Sequence, residues 1–272
     1  MVQTHKGFRP LGSVLKDLRK RVLRTVAEAR SGHLGASLSV IDILAVLYFL
    51  KMKHDPSNPK WPDRDRLILS KGHAAPALYA VLAEVGYIKI EELNSLREMG
   101  SRLQGHPNTE TPGVDVGTGS LGQGLSIAIG MALAAKMNGA EHRIYVLMGD
   151  GELDEGQVWE AALTASHHGL DNIIVIVDRN EYQLTGTTDE IKSLKPLEAK
   201  WKAFGWETVE ADGNDPASIL DALEVSDMIY GRPKVVIANT TKGKGVSFME
   251  GNEFSRKIPK SDELTRALSE LT

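Results

Sequence analysis

Apolar and polar positions follow two rhythms along this chain. Unbroken apolar runs occur at Ile144 to Met148 and Ile173 to Val177, with shorter ones at Arg66 to Ser70 and Val235 to Asn239. Runs this short, without alternation, predict strands buried on both faces, as in a parallel sheet. Helical spacing fills the intervals. Val14, Leu15, Leu18, Val22, Leu23 and Val26 predict an amphipathic helix over Ser13 to Arg30, with Ser13 as N-cap. Ser39 to Lys51 reads as a more apolar helix, and Ala75 to Val85 as one ended by Gly86. Leu121 to Met137, Gly156 to His168, Pro196 to Phe204, Pro216 to Leu223 and Asp262 to Leu271 complete the predicted helices. Strands alternating with helices predict an α/β fold: a mainly parallel sheet with helices on both faces, three layers in all. No repeat or linker interrupts the pattern, so a single domain over residues 1–272 is expected. Gly100 to Ser120 is a long Gly-, Thr- and Pro-rich loop, a length that usually serves function. Residues 243–260 are polar and irregular, and mobility is expected in part of that stretch.

Composition narrows the classes. Hydrophobic residues make up 42% and charged residues 25%, ordinary for a soluble globular protein. A net charge of −4 favours neither nucleic acid nor an anionic membrane. Cysteine is absent, which excludes disulfides, thiolate metal sites and cysteine nucleophiles and fits a cytoplasmic location. Met1 to Pro10 has no apolar core of a signal peptide, and no apolar run reaches the ~18 residues of a membrane span.

Two of the strands end in polar clusters. Gly149-Asp150-Gly151 follows the first, and Asp178-Arg179-Asn180 ends the second, with 28 residues between the glycine and the asparagine. Open α/β sheets bind ligands at such C-terminal strand ends. Gly151 lets a phosphate approach the backbone, while Asp150 and Asn180 each offer one hard oxygen. Mg²⁺ prefers one or two protein oxygens completed by phosphate and water, so a Mg²⁺-diphosphate site is expected. Three histidines, His33, His73 and His106, each follow a glycine at an element end and could shuttle protons or donate to phosphate. Glu152, Asp154 and Glu155 lack EF-hand spacing and read as a solvated acidic turn. His167 and His168 cannot share a helical face and read as structural. Lys242 and Lys244, taken alone, read as a solvated loop.

The motifs together resemble the transketolase family. The run from Arg64 to Ala74, with Ser70-Lys71-Gly72-His73, resembles the segment around its diphosphate-binding histidine. Gly105-His106-Pro107 through Thr118-Gly119-Ser120-Leu121-Gly122-Gln123-Gly124 resembles its cofactor loop. Gly149 to Gly156 with Glu160-Ala161 resembles its Mg²⁺ loop and the following helix. The resemblance runs from about residue 13 to about 250 and implies thiamine diphosphate (ThDP) and Mg²⁺ as cofactors. Asp150, Asn180 and the Tyr182 carbonyl would hold the metal. His73, the Gly151 amide and Lys242 would meet the diphosphate, and Gly119 and Leu121 would line the thiamine. His33 and His106 would face the substrate hydroxyls. Glu155 and Glu160 match carboxylates near the family's dimer interface.

The resemblance also implies what lies outside this chain. Single-chain transketolases are more than twice as long. The glutamate that binds the aminopyrimidine, and the arginines that hold the sugar phosphate, come from a second α/β domain of another protomer. The expectation is therefore the N-terminal subunit of a split transketolase, moving a two-carbon ketol unit from a ketose to an aldose. It would act only with a C-terminal partner, in a two-plus-two heterotetramer. A noncatalytic cofactor-binding subunit is the alternative. One departure stands out: the family histidine that touches diphosphate and substrate falls on Ser255. That leaves open an unusual sugar (deoxy, sulfonated or branched) and suggests Arg256 or Lys257 as a replacement cation.

Overall fold

The computed structural model describes residues 1–271, apart from the side chains of Glu253 and Arg256. A short antiparallel hairpin, β1 (Val2–Thr4) and β2 (Gly7–Arg9), comes first. The main sheet has five strands: β3 (Arg66–Leu69), β4 (Ile144–Gly149), β5 (Ile173–Arg179), β6 (Glu207–Asp212) and β7 (Lys234–Asn239). Every pairing in it is parallel, and the order is β3-β4-β5-β7-β6. The helices are α1 (Leu11–Glu28), α2 (Leu34–Ser39), α3 (Ile41–Val46), α4 (Ala75–Val85), α5 (Gln123–Met137), α6 (Gly156–His167), α7 (Thr188–Ile191), α8 (Leu197–Ala203), α9 (Pro216–Asp227) and α10 (Ser261–Glu270).

The period of two along each strand sends successive side chains to opposite faces and creates two cores. Tyr145, Leu147, Ile174 and Ile176 face a core built with α1 to α4, α9 and α10. Ile144, Val146, Met148, Val175 and Val177 face a second core built with α5, α6 and α8, which includes the buried Trp201 and Trp206. A sheet buried on both faces needs apolar side chains at every central position, which is why these strands read as unbroken runs. The three-layer α/β expectation matches this architecture.

Several boundaries move. α1 starts at Leu11, capped by Pro10 rather than Ser13. The apolar stretch expected as one helix over Ser39 to Lys51 is broken: α2 ends at Ser39, Val40 leaves helical geometry, and α3 runs into a π turn at Leu47–Lys51. β6 went unpredicted because its sequence, Glu207 to Asp212, is mostly polar; it is the sheet edge. Residues 243–260 are irregular as expected, yet Val246, Met249 and Ser255 are buried in them. Among the described residues no helix is long and apolar enough to cross a membrane.

Candidate active site

All strands of the main sheet point the same way, so the chain segments that leave β3, β4, β5 and β7 gather at one edge. They deliver Lys71 and His73, Asp150 and Gly151, Asn180 and Tyr182, and Lys242. These residues line one cavity of about 580 Å³ together with His33, His106, Gly119, Leu121 and Ser255. The expected metal, diphosphate, thiamine and substrate residues therefore border a single space, whereas Lys257, suggested as a replacement cation, does not.

His33 caps the start of α2, where its carbonyl accepts the Ser37 amide at 3.0 Å and the Ser37 hydroxyl at 2.9 Å. Its ring lies 5.1 Å from that of His73, edge to face. The His106 loop is held by the Tyr79 hydroxyl, which donates to the carbonyls of Gln104 at 2.9 Å and His106 at 3.2 Å. Arg97 donates to Ser31 Oγ at 2.9 Å and so spans toward the His33 segment. Close glycine contacts hold the loops together. A Cβ on Gly72 would sit 2.6 Å from Thr118 Oγ1 and 2.9 Å from the Gly119 nitrogen. Gly72→Ala must therefore push the His73 turn away from the 118–119 loop. A cost of about 1–3 kcal/mol in urea denaturation is expected, the usual range for forced overpacking; an unchanged midpoint would contradict the contact.

Charge is distributed unusually. Burial, followed by Lys71, His33 and Lys242, pushes His73 down to about 3 from 6.5. Burial and then Arg97 also lower His33 and His106. All three imidazoles are thus neutral at pH 7. In the unliganded chain His73 brings a hydrogen-bond donor to the cavity, and the positive charge comes from Lys71 and Lys242. The folded value of His73 lies below the unfolded one, so the unfolded chain takes up the proton first as pH falls. This contribution to stability is complete above about pH 6.5 and declines from there toward pH 3. The unliganded chain is expected to melt at progressively lower temperature from about pH 6.5 to about pH 5, with a shallower slope in His73→Asn. Equal slopes in the two proteins would exclude His73 as a source.

Asp150 is 2% exposed, and burial, then Asp178, raises its carboxyl to about 7. Its oxygens accept the amides of Gly151 at 2.8 Å and Glu181 at 2.6 Å. The Gly151 amide is thereby committed to Asp150, and the Gln183 side chain fills the space where a Cβ of Gly151 would lie, 2.8 Å from its Cγ. Gly151 borders the cavity, but its amide is already bonded to Asp150 and its Cβ side is covered by Gln183. Asn180 donates through Nδ2 to Asp178 at 2.9 Å, and its Oδ1 accepts the Tyr182 amide at 3.1 Å. Lys242 is 9% exposed, with Nζ 3.4 Å from the Gln183 carbonyl, so the solvated-loop reading does not hold for it. Lys244 is part-exposed and pairs with Glu250 at 3.7 Å.

This donor set fits a hard divalent cation bound jointly with a diphosphate. The buried Asp150 carboxylate sits near a second carboxylate, that of Asp178, and borders the same cavity as the Asn180 amide. Among the described residues no three acidic or histidine side chains are grouped to hold a metal unaided. Mg²⁺ matches that economy, since it takes few protein ligands and completes its shell with phosphate and water.

Two buried residues here carry roles the sequence reading missed. Glu152 is 1% exposed rather than solvated; it accepts the Ser70 hydroxyl and the amides of Gly122 at 2.8 Å and Gly149 at 3.1 Å, tying the loop before α5 to the ends of β3 and β4. Lys71 is 1% exposed and paired with Asp178, where burial pushes the Asp178 carboxyl up but Lys71 and the hydroxyls of Thr240 and Ser39 hold it below the usual carboxylate range. Lys257 lies elsewhere: it is exposed, with Nζ 4.3 Å over the Phe254 ring, and does not line the cavity. The Arg256 side chain lies outside the described residues. His167 and His168 are exposed at the end of α6, away from the cavity.

A family model described as transketolase, thiamine diphosphate binding domain, matches residues 12–269. An apulose-4-phosphate transketolase subunit from Actinobacillus succinogenes is 50% identical over 93% of this chain and 92% of its own length. A 6-deoxy-6-sulfo-D-fructose transketolase subunit, SqwG, from Clostridium sp. (strain MSTE9) is 48% identical over 92% of this chain and 91% of its own. The crystal structure of transketolase from Campylobacter jejuni superposes with a TM-score of 0.90 at 37% identity, covering 96% of this chain and 42% of that one. The chain thus spans about two fifths of that longer transketolase and nearly all of the two subunits. It belongs to the transketolase family and carries its thiamine diphosphate-binding domain.

Proposed function

We propose that this chain is the cofactor-binding subunit of a two-chain transketolase that moves a two-carbon ketol unit from a ketose to an aldose. The observation that carries this reading is the convergence of His73, Asp150, Asn180 and Lys242 from four parallel strand ends onto one cavity. Its near full-length match to two transketolase subunits supports the two-chain arrangement. Asp150, Asn180 and the Tyr182 carbonyl hold Mg²⁺. His73, Lys242 and the Gly151 amide would meet the diphosphate. Gly119 and Leu121 line the thiamine. ThDP, when bound, supplies the nucleophilic carbon that such a transfer requires. His33 and His106, neutral and exposed at the mouth, orient the sugar hydroxyls and accept or return their protons at ring nitrogen. A C-terminal partner supplies the glutamate for the aminopyrimidine and the arginines for the anionic end of the sugar, in a two-plus-two assembly.

The two subunits above are named for a sulfonated deoxyfructose and for apulose-4-phosphate. A ketose with an anionic far end is the substrate class proposed here. Ser255, 1% exposed and bordering the cavity, stands where the family's histidine is expected. The test is a ketol-transfer assay on the chain mixed with its partner, across ketose phosphates and sulfonates. Transfer that depends on both ThDP and Mg²⁺ is expected; a folded, cofactor-loaded pair that transfers from no ketose would overturn the reading.

A further inference from the structure

Asp178 lies two residues before Asn180, at the end of β5, and is 0% exposed. It does not border the cavity. Four side chains converge on its two oxygens: the Lys71 ammonium, the Thr240 hydroxyl, Ser39 Oγ at 2.7 Å and Asn180 Nδ2 at 2.9 Å. Each comes from a segment that also presents a group to the cavity. Ser39 ends the helix that His33 begins, Lys71 precedes the His73 turn, and Thr240 precedes Lys242.

The contact to Asn180 has a chemical consequence. An asparagine side chain fits its site equally well in two orientations that exchange oxygen for nitrogen. A carboxylate paired with an ammonium only accepts hydrogen bonds, so it binds the nitrogen and rejects the oxygen. The second fixed bond agrees, since Oδ1 accepts the Tyr182 amide at 3.1 Å. That oxygen keeps one further lone pair, and Asn180 borders the cavity.

We infer that Asp178 is a positioning residue that locks the Asn180 amide with its oxygen toward the cation and pins the segments carrying His33, His73 and Lys242 around it. The inference rests on the reading that the cavity binds ThDP with Mg²⁺. Partners behind a ligand commonly set metal affinity by fixing ligand orientation.

A donor–acceptor exchange separates positioning from support of the fold. Asp178→Asn removes the orienting charge and leaves Lys71 unpaired, so both melting temperature and cofactor affinity should fall. Asn180→Asp sets two carboxylates together and should also weaken binding. In the double variant Asp178→Asn/Asn180→Asp, the new amide donates to the new carboxylate, whose second oxygen faces the cation. Calorimetry of ThDP with Mg²⁺ and thermal melting of the unliganded chain are the readouts. Affinity is expected to drop about tenfold or more in each single variant and to return to within about threefold of the unmodified chain in the double. The melting temperature of the double should stay as low as that of Asp178→Asn, because Lys71 is still unpaired. Affinity in the double that tracks its melting temperature, or stays as weak as in Asp178→Asn, would overturn the inference. If Asp178→Asn does not fold, the same pair is compared with Lys71→Met in both members, and the same recovery is expected. An unmodified chain that binds no ThDP with Mg²⁺ would instead remove the reading beneath it.

Discussion

Asp150→Ala is expected to yield a folded chain that no longer retains ThDP with Mg²⁺. Asp150 is a buried carboxylate whose charge is disfavoured by burial and by Asp178. Removing it relieves that repulsion and leaves only the amides of Gly151 and Glu181 without their acceptor. The melting temperature of the unliganded chain should therefore change little. Binding should change greatly, because the lost carboxylate is the one protein charge in the proposed Mg²⁺ shell, and the diphosphate then meets Lys71 and Lys242 without the metal between. An affinity loss of at least about 100-fold, or ~2.7 kcal/mol, is expected in calorimetry at fixed Mg²⁺. Asn180→Ala should behave alike, with a smaller loss because a neutral oxygen is removed. Unchanged ThDP affinity with full Mg²⁺ dependence in both variants would dismantle the site assignment.

The strand ends were legible in the sequence because burial on both faces writes itself as unbroken apolar runs. The parallel direction then brought Asp150, Asn180, His73 and Lys242 together without further information. What stayed hidden depends on partners distant in sequence. Lys71 precedes a glycine in a turn and looks solvated until Asp178, on another strand, is seen beside it. Glu152 reads as part of an acidic surface turn, yet Ser70, Gly122 and Gly149 surround it with donors. The break between α2 and α3 was unreadable because both pieces are fully buried and mostly apolar, so no change of periodicity marks it. β6, polar and at the edge, carries none of the signal that announces a central strand.

The purified chain alone is expected to show no ketol transfer, with activity appearing on addition of its partner. Among the described residues two glutamates border the cavity, and neither is placed to serve the thiamine ring by itself. Glu152 has its oxygens taken by Ser70, Gly122 and Gly149, and Glu155 is exposed at the start of α6. His33 and His106, proposed to meet the sugar, are solvent-exposed in the chain alone. Leu184, 75% exposed at the same rim, is an apolar side chain of the kind an interface covers. Closed two-fold symmetry favours an assembly with two copies of each chain, each cofactor lying between unlike subunits. Activity titrated with partner should saturate at one partner per chain, and light scattering should give the mass of two of each. Cofactor binding should be measurable before the partner is added, because the residues proposed to hold the diphosphate and the metal belong to this chain. Turnover by the chain alone would show that it completes its own site; saturation at another ratio would exclude the two-plus-two arrangement.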